Sequence, residues 1–154
     1  MKSLLILGAG GFGRMIKETA LALGYEEVLF LDDTAKDDDV IGRCCDYHLY
    51  HRDYSVAVAA FGNNKTRLFW TQKLLEEEYE VPAIVHPSAI VSPSVRLEPG
   101  CFIMQRAVVN MNTTIKMAAL INSGAVVDHD SIVEEGAHVG LGSVVKAHCV
   151  IEPG

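Results

Sequence analysis

From Ile84 onward the sequence repeats every six positions: IVHPSA, IVSPSV, RLEPGC, FIMQRA, VVNMNT, TIKMAA, LINSGA, VVDHDS, IVEEGA, HVGLGS, VVKAHC, VIEPG. The second position reads Val85, Val91, Leu97, Ile103, Val109, Ile115, Ile121, Val127, Val133, Val139, Val145, Ile151, aliphatic in all twelve. The sixth position reads Ala89, Val95, Cys101, Ala107, Thr113, Ala119, Ala125, Ser131, Ala137, Ser143, Cys149, always small or β-branched. A fixed short period marks a solenoid whose repeats bury their apolar side chains against their neighbours. Period six excludes one continuous α-helix, which needs apolar spacings of three and four. A sandwich needs turn signals about every 8–12 residues. The pattern therefore predicts a β-solenoid. Each hexad is a short strand with one inward aliphatic, then a tight turn over a small residue, and three hexads close an 18-residue coil.

The first half reads differently. Ser3–Leu7 is an apolar run suited to a buried parallel strand. It ends in Gly8-Ala9-Gly10-Gly11-Phe12-Gly13, and a helical stretch follows from Arg14 to about Leu23. That is G-x-G-x-x-G between a strand and a helix, where glycines admit a diphosphate to the backbone and the helix N-terminus favours its charge. Val28–Leu31 is the second strand, with Asp32 and Asp33 at its end, where an acid accepts hydrogen bonds from a ribose. Thr34–Cys45 and most of Asp46–Asp53 read as surface loop. Ser55–Ala60 is a third strand ending in Phe61-Gly62-Asn63-Asn64, and a helix runs from Lys65 to about Tyr79 with Leu68, Phe69, Leu74 and Leu75 on its apolar face. The boundary falls at Pro82, giving an α/β half-Rossmann domain over 1–82 and an all-β ladder over 83–154. Three readings of the glycine motif stand at this point: a nicotinamide dinucleotide, a nucleotide sugar, or a tight turn without ligand. A dinucleotide usually needs two βαβαβ halves. Residues 1–82 supply one, so a single nucleoside diphosphate fits better.

A net charge of −7 argues against nucleic acid or an anionic membrane as partner. No apolar run approaches the roughly 20 residues of a membrane span. Cys44, Cys45, Cys101 and Cys149 lack paired zinc spacing and read as reduced thiols of a cytoplasmic protein. No His, Cys and carboxylate cluster has compact ligand spacing, so no metal is expected. His86 reads as structural, His48 and His51 lie in a loop without partners, and His148 sits near the chain end. Asp128-His129-Asp130 is a candidate base with a flanking acid, and on spacing alone it is also an ordinary solvated turn.

A half-Rossmann domain running into a hexapeptide ladder resembles the bacterial sugar acyltransferases that include bacillosamine N-acetyltransferase and sialic acid O-acetyltransferase. GAGGFG at 8–13, FLDD at 30–33, FGNNKTR at 61–67 and NSGAVVDHDSIVEEGAHVG at 122–140 carry the resemblance, which covers the whole chain. It implies a left-handed parallel β-helix and acetyl-CoA-dependent transfer to a nucleotide-linked amino sugar of bacterial surface glycan, with uridine diphosphate as the expected carrier. The alternatives it leaves are sialic acid O-acetylation and nucleotide-sugar binding without turnover. It implies that Gly8, Gly10, Gly11, Gly13, Asp32, Asp33, Gly62 and Asn63 hold the nucleotide. His129 would be the general base with Asp130 orienting it, and His138 and the backbone at Ala147 would meet the acyl donor. Phe12 stands where many members carry histidine, and Ala147 where many carry glycine. Members are homotrimers with sites between subunits. They run several coils further, so the ladder, ending in mid-hexad, is expected to lack C-terminal coils that build much of the donor site.

Overall fold

Every residue from 1 to 154 is described by the structure, a computed structural model, and the chain divides into two compact units, Met1–Pro82 and Ala83–Gly154. In the first unit β1 (Ser3–Leu7) places Leu4, Leu5, Ile6 and Leu7 wholly out of solvent. Burial of both faces is what a continuous apolar strand requires. β1 is flanked by β2 (Glu27–Leu31) and β4 (Ala57–Ala59), and β3 (Val40–Gly42) extends the sheet beyond β2. The order is β3-β2-β1-β4, and all pairings are parallel. Helix α1 (Gly11–Ala22) buries Ile16, Thr19 and Ala20, and α2 (Asn64–Glu76) follows β4.

Three expectations for this unit need correction. Residues 34–53 are not all loop: β3 pairs with β2, and Cys44–Leu49 forms a 3₁₀ helix. The acidic run before β3 is held by cations of α1. Asp39 lies 2.7 Å from Arg14 Nη1 and 2.6 Å from Lys17 Nζ, and Asp37 lies 3.0 Å from Arg14 Nη2. Helix α1 begins at Gly11 rather than Arg14, so the last glycines of the motif are its first turn. The buried face of α2 is Arg67, Thr71 and Leu74, while Phe69 is exposed. Arg67 was invisible as a core residue because its role is to satisfy carbonyls. Its guanidinium donates to Phe61 O (3.0 Å), Gly62 O (3.4 Å) and Asn64 Oδ1 (3.0 Å), tying down the loop after β4. Desolvation lowers its pKa to about 10, still well above neutrality.

The second unit is built of twelve two-residue strands, from β5 (Ile84–Val85) to β16 (Val150–Ile151). They stack into three parallel sheets of four strands each. Each strand pairs with the one a full coil away, as in Thr114 with Ile132 and Val126 with Val144. Both regular columns of the sequence point inward: Ile103, Val109, Ile115, Ile121, Val127 and Val133 form a core with Cys101, Ala107, Ala119, Ala125 and Ala137. One corner is turned by Asn112, Asp130 and His148, whose φ values of 56°, 57° and 60° lie in the left-handed region. Asparagine, aspartate and histidine enter that region more readily than other side chains. All four cysteines are free thiols.

Candidate active site

Strand β12 (Val126–Val127) fixes one end of the turn at Asp128-His129-Asp130 by anchoring Val127 in the ladder core. The turn is braced from below and from inside. Asn110, one coil earlier, donates from Nδ2 to Asp128 Oδ1 at 2.9 Å, and the same oxygen receives the His129 N–H at 2.8 Å. Those bonds, that from Asn110 first, hold the Asp128 carboxyl below the usual carboxylate range. Two polar members of the small column sit beneath. The Thr113 hydroxyl donates to Asp128 O (3.0 Å), and the Ser131 hydroxyl donates to Lys146 O (3.1 Å). Both residues are buried, so these bonds replace water and link consecutive turns.

On this frame His129 Nδ1 and Asp130 Oδ2 lie 2.6 Å apart, with both side chains a little over one-third exposed. The carboxylate accepts the Nδ1 proton, which leaves the Nε2 lone pair as the basic site. The Asp130 hydrogen bond raises the His129 pKa, and the same contact lowers that of Asp130. The imidazolium formed on taking a proton is therefore stabilised. Ala147 occupies the register position above His129, one coil on, within the turn that follows Val145. His148 comes next, and its ring stands nearly perpendicular to that of His129 at 5.3 Å between centroids. Stacking of coils thus gathers His129, Asp130 and His148 so that one ligand atom from each lies within 4.8 Å of the others. Linear spacing gave no sign of this cluster, because its members are one coil apart.

His138 is exposed on its own strand, β14 (His138–Val139), and meets Asn122 rather than His129. The Ser123 N–H donates to Asn122 Oδ1 (2.8 Å), which turns the amide nitrogen toward His138 Nε2 at 3.0 Å. An amide donor there leaves the ring proton on Nδ1.

In the first unit the glycines separate into two groups. Gly8 has φ +101°, and an added Cβ would meet Ala60 O at 2.7 Å. A Cβ on Gly13 would stand 1.8 Å from Gly8 O. Both are glycine because the fold demands it. A Cβ on Gly10, Gly11 or Gly62 would meet nothing within 4 Å, and none of the three has a left-handed backbone. The fold does not require glycine at these positions, and each lies in a loop or at a helix start beyond the carboxyl end of a strand, where ligands of open α/β sheets bind. Asn63 caps α2, its Oδ1 accepting the Thr66 N–H at 2.9 Å.

The two acids after β2 differ. Asp32 is spent on the loop itself: Oδ2 accepts the Ala9 N–H at 2.8 Å, and Oδ1 accepts from Thr34 N (2.9 Å), Thr34 Oγ1 (3.2 Å) and Ala35 N (2.8 Å). Burial pushes its pKa up, but the bonds from Ala35, Ala9 and Thr34 carry it below the usual range. Asp33 is exposed and accepts the Cys44 N–H on Oδ1 at 3.0 Å. The two border an open cavity of about 450 Å³ lined also by Thr34, Lys36, Ile41 and Arg43.

Comparison with known proteins matches this architecture in order. The profile of the PglD N-terminal domain matches residues 3–74. The acetyltransferase domain of PglB from Neisseria gonorrhoeae, solved with acetyl coenzyme A, superposes with a TM-score of 0.90 at 28% identity, over 97% of this chain and 84% of that one. PerB from Caulobacter crescentus, solved with CoA and GDP-perosamine, gives 0.87 at 30% identity, over 94% of this chain and 71% of that one. WeeI from Acinetobacter baumannii, at 15% identity and a TM-score of 0.67, shares the fold. These neighbours set the hand of the coil as left-handed. A glycine-loop unit, a left-handed hexapeptide ladder and relatives at this likeness over nearly the whole chain show that it belongs to the bacterial hexapeptide-repeat sugar acetyltransferases.

Proposed function

We propose that this enzyme transfers acetyl from acetyl-CoA to the amino group of a sugar carried on a nucleoside diphosphate. The observation that carries the reading is the 2.6 Å pair of His129 Nδ1 and Asp130 Oδ2 on a braced turn. The acceptor nitrogen loses a proton as it attacks the thioester carbonyl. His129 Nε2 takes that proton and Asp130 steadies the resulting imidazolium, a contribution of about 10²–10⁴-fold for general base catalysis. The tetrahedral oxyanion then collapses with release of the CoA thiolate. A backbone N–H in the turn at Ala147, stacked on the base, supplies the oxyanion donor. His138, fixed by Asn122, meets the acyl donor.

The nucleotide lies on the glycine loop. Gly10, Gly11 and Gly62 give its diphosphate room to reach the backbone, and Asp33 takes a ribose hydroxyl. Uridine diphosphate is the first candidate carrier. The GDP-perosamine bound by PerB makes guanosine diphosphate the second.

The working form is a homotrimer with sites between subunits. Ile90, Val108, Val126 and Val144 form an outward aliphatic stripe on one sheet of the ladder, and its ends are 67% and 69% exposed. The stripe runs directly into the His129 turn through β12. An apolar row of this length on a sheet face marks a protein interface. No helix is long and apolar enough to cross a membrane, and use of acetyl-CoA places the reaction in the cytoplasm.

The test is incubation with acetyl-CoA and a panel of UDP- and GDP-linked amino sugars, followed by thiol release and product mass. Acetylation of one or more of them is expected. Failure with every nucleotide-linked sugar, alongside transfer to a free sugar, would refute the role given to the glycine loop.

A further inference from the structure

The cluster at the His129 turn has a consequence separate from acyl transfer. Asp130 and His148 occupy the same register position on consecutive coils, both with left-handed φ, and the His148 N–H donates to His129 O at 3.2 Å. The two turns are thus fixed one above the other, with two imidazoles and one carboxylate on the outer surface. One ligand atom from each lies within 4.8 Å of the others. In a tetrahedral zinc site with bonds of about 2.0–2.1 Å, ligand atoms stand about 3.4 Å apart. The His129–Asp130 pair needs to open slightly from 2.6 Å. His148, exposed and carrying its ring on two free torsions, closes the remaining distance. Two nitrogen ligands and one oxygen suit Zn²⁺ and its transition-metal neighbours, and do not suit Mg²⁺ or Ca²⁺.

We infer that His129, Asp130 and His148 form a three-ligand site for Zn²⁺, with a fourth position left to water, and that filling it switches the enzyme off. This inhibitory consequence rests on His129 being the base; the metal site itself does not. The ion takes the place of the proton shared by His129 Nδ1 and Asp130 Oδ2. That proton moves to Nε2, so no net proton is released, and the lone pair needed for catalysis disappears. Asp130 at the same time turns its charge from the ring to the metal. The acyl-transfer steps proposed for His129 use no atom of the His148 ring, which makes that ring the ligand to alter. Asparagine, already present one coil below Asp130 at Asn112, tolerates the same left-handed turn.

The experiment is calorimetric titration of the full chain with ZnCl₂ in a non-coordinating buffer, beside His148→Asn and Cys45→Ser variants, with activity assayed in parallel. One Zn²⁺ per chain is expected in the parent. His148→Asn should weaken it by at least the roughly 10–100-fold that loss of an outer-shell partner costs, and Cys45→Ser should not. Zinc should inhibit the parent, EDTA should restore it, and His148→Asn should need correspondingly more zinc for inhibition. No zinc binding, affinity unchanged by His148→Asn, or affinity lost in Cys45→Ser would each overturn the site. Binding without inhibition would overturn the switch. Absence of acetyl transfer from metal-free protein would count against the acyltransferase reading alone, since calorimetry still decides the site.

Discussion

Replacing Gly13 with alanine should unfold or loosen the first unit, while the same change at Gly10 should leave the fold intact and abolish nucleotide binding. The Cβ at position 13 would stand 1.8 Å from Gly8 O and 2.8 Å from Gly8 C. Real Cβ contacts essentially never fall below 3.0 Å, so α1 has to retreat from the β1 turn by about 1.2 Å. Retreat opens a gap along Ile16, Thr19 and Ala20, all but fully buried on the sheet. A gap of 0.5–1 Å already forfeits roughly a quarter to a half of each dispersion contact. Overpacking of this kind costs about 1–3 kcal/mol. In an 82-residue unit each kcal/mol moves the melting midpoint by about 4–8 °C, so a fall of about 4–24 °C is expected. At Gly10, the extended N-cap of α1, an added Cβ meets nothing within 4 Å, and alanine for glycine at such a cap costs about 1 kcal/mol or less. Melting followed by circular dichroism, with titration of the acetylated nucleotide sugar's parent, reads both effects. A Gly13→Ala protein melting within about 2 °C of the parent, or a Gly10→Ala protein binding the nucleotide unchanged, refutes the division of the glycines into fold-bearing and ligand-facing.

Asp130→Asn should keep the turn but lose the fixed Nδ1–H tautomer. Turnover should fall by roughly tenfold or more with nucleotide-sugar affinity unchanged, as steady-state kinetics and calorimetry would show. Ile121→Ala should destabilise the ladder by about 2–5 kcal/mol, read as a lower denaturant midpoint, because Ile121 is fully buried in the stacked column. Val126→Asp should convert a trimer to monomers by sedimentation, since it sets a charge in the middle of the aliphatic stripe; a parent protein that sediments as a monomer contradicts the proposed assembly.

The ladder was legible because each hexad repeats one strand and one turn, so burial follows directly from column number: Ile103, Val109 and Ile115 are inward for the same reason. The glycine motif was legible because strand, turn and helix come in unbroken order. What escaped the sequence lies in contacts made across a coil or across the sheet. Thr113 and Ser131 fit the sixth column as small or β-branched residues, which says nothing of their hydroxyls, and these support the His129 turn from inside. A polar residue intruding in a core column, one coil apart at 113 and 131, was the available signal. Asp32 holds the ribose-binding position by sequence, and the bonds that both its oxygens accept from its own loop are what no linear reading foresees. Arg67 was lost because a charged side chain reads as solvated even at the helical spacing it shares with Thr71 and Leu74, and only the structure shows loop carbonyls satisfying its buried guanidinium. β3 was lost because three half-buried residues after an acidic run carry no alternation, and the ion pairs that Arg14 and Lys17 make with Asp39 just before it join residues distant in sequence.

The central claim is that His129 is the base of an acetyl transfer to a nucleotide-linked amino sugar. The most direct measurement compares parent and His129→Ala protein in a single-turnover acetyl-transfer assay, with calorimetric binding of the sugar nucleotide on the same preparations. Transfer by the parent, a loss of about 10²–10⁴-fold in His129→Ala, and equal binding by both are predicted. Undiminished transfer by His129→Ala, with binding intact, would contradict the account.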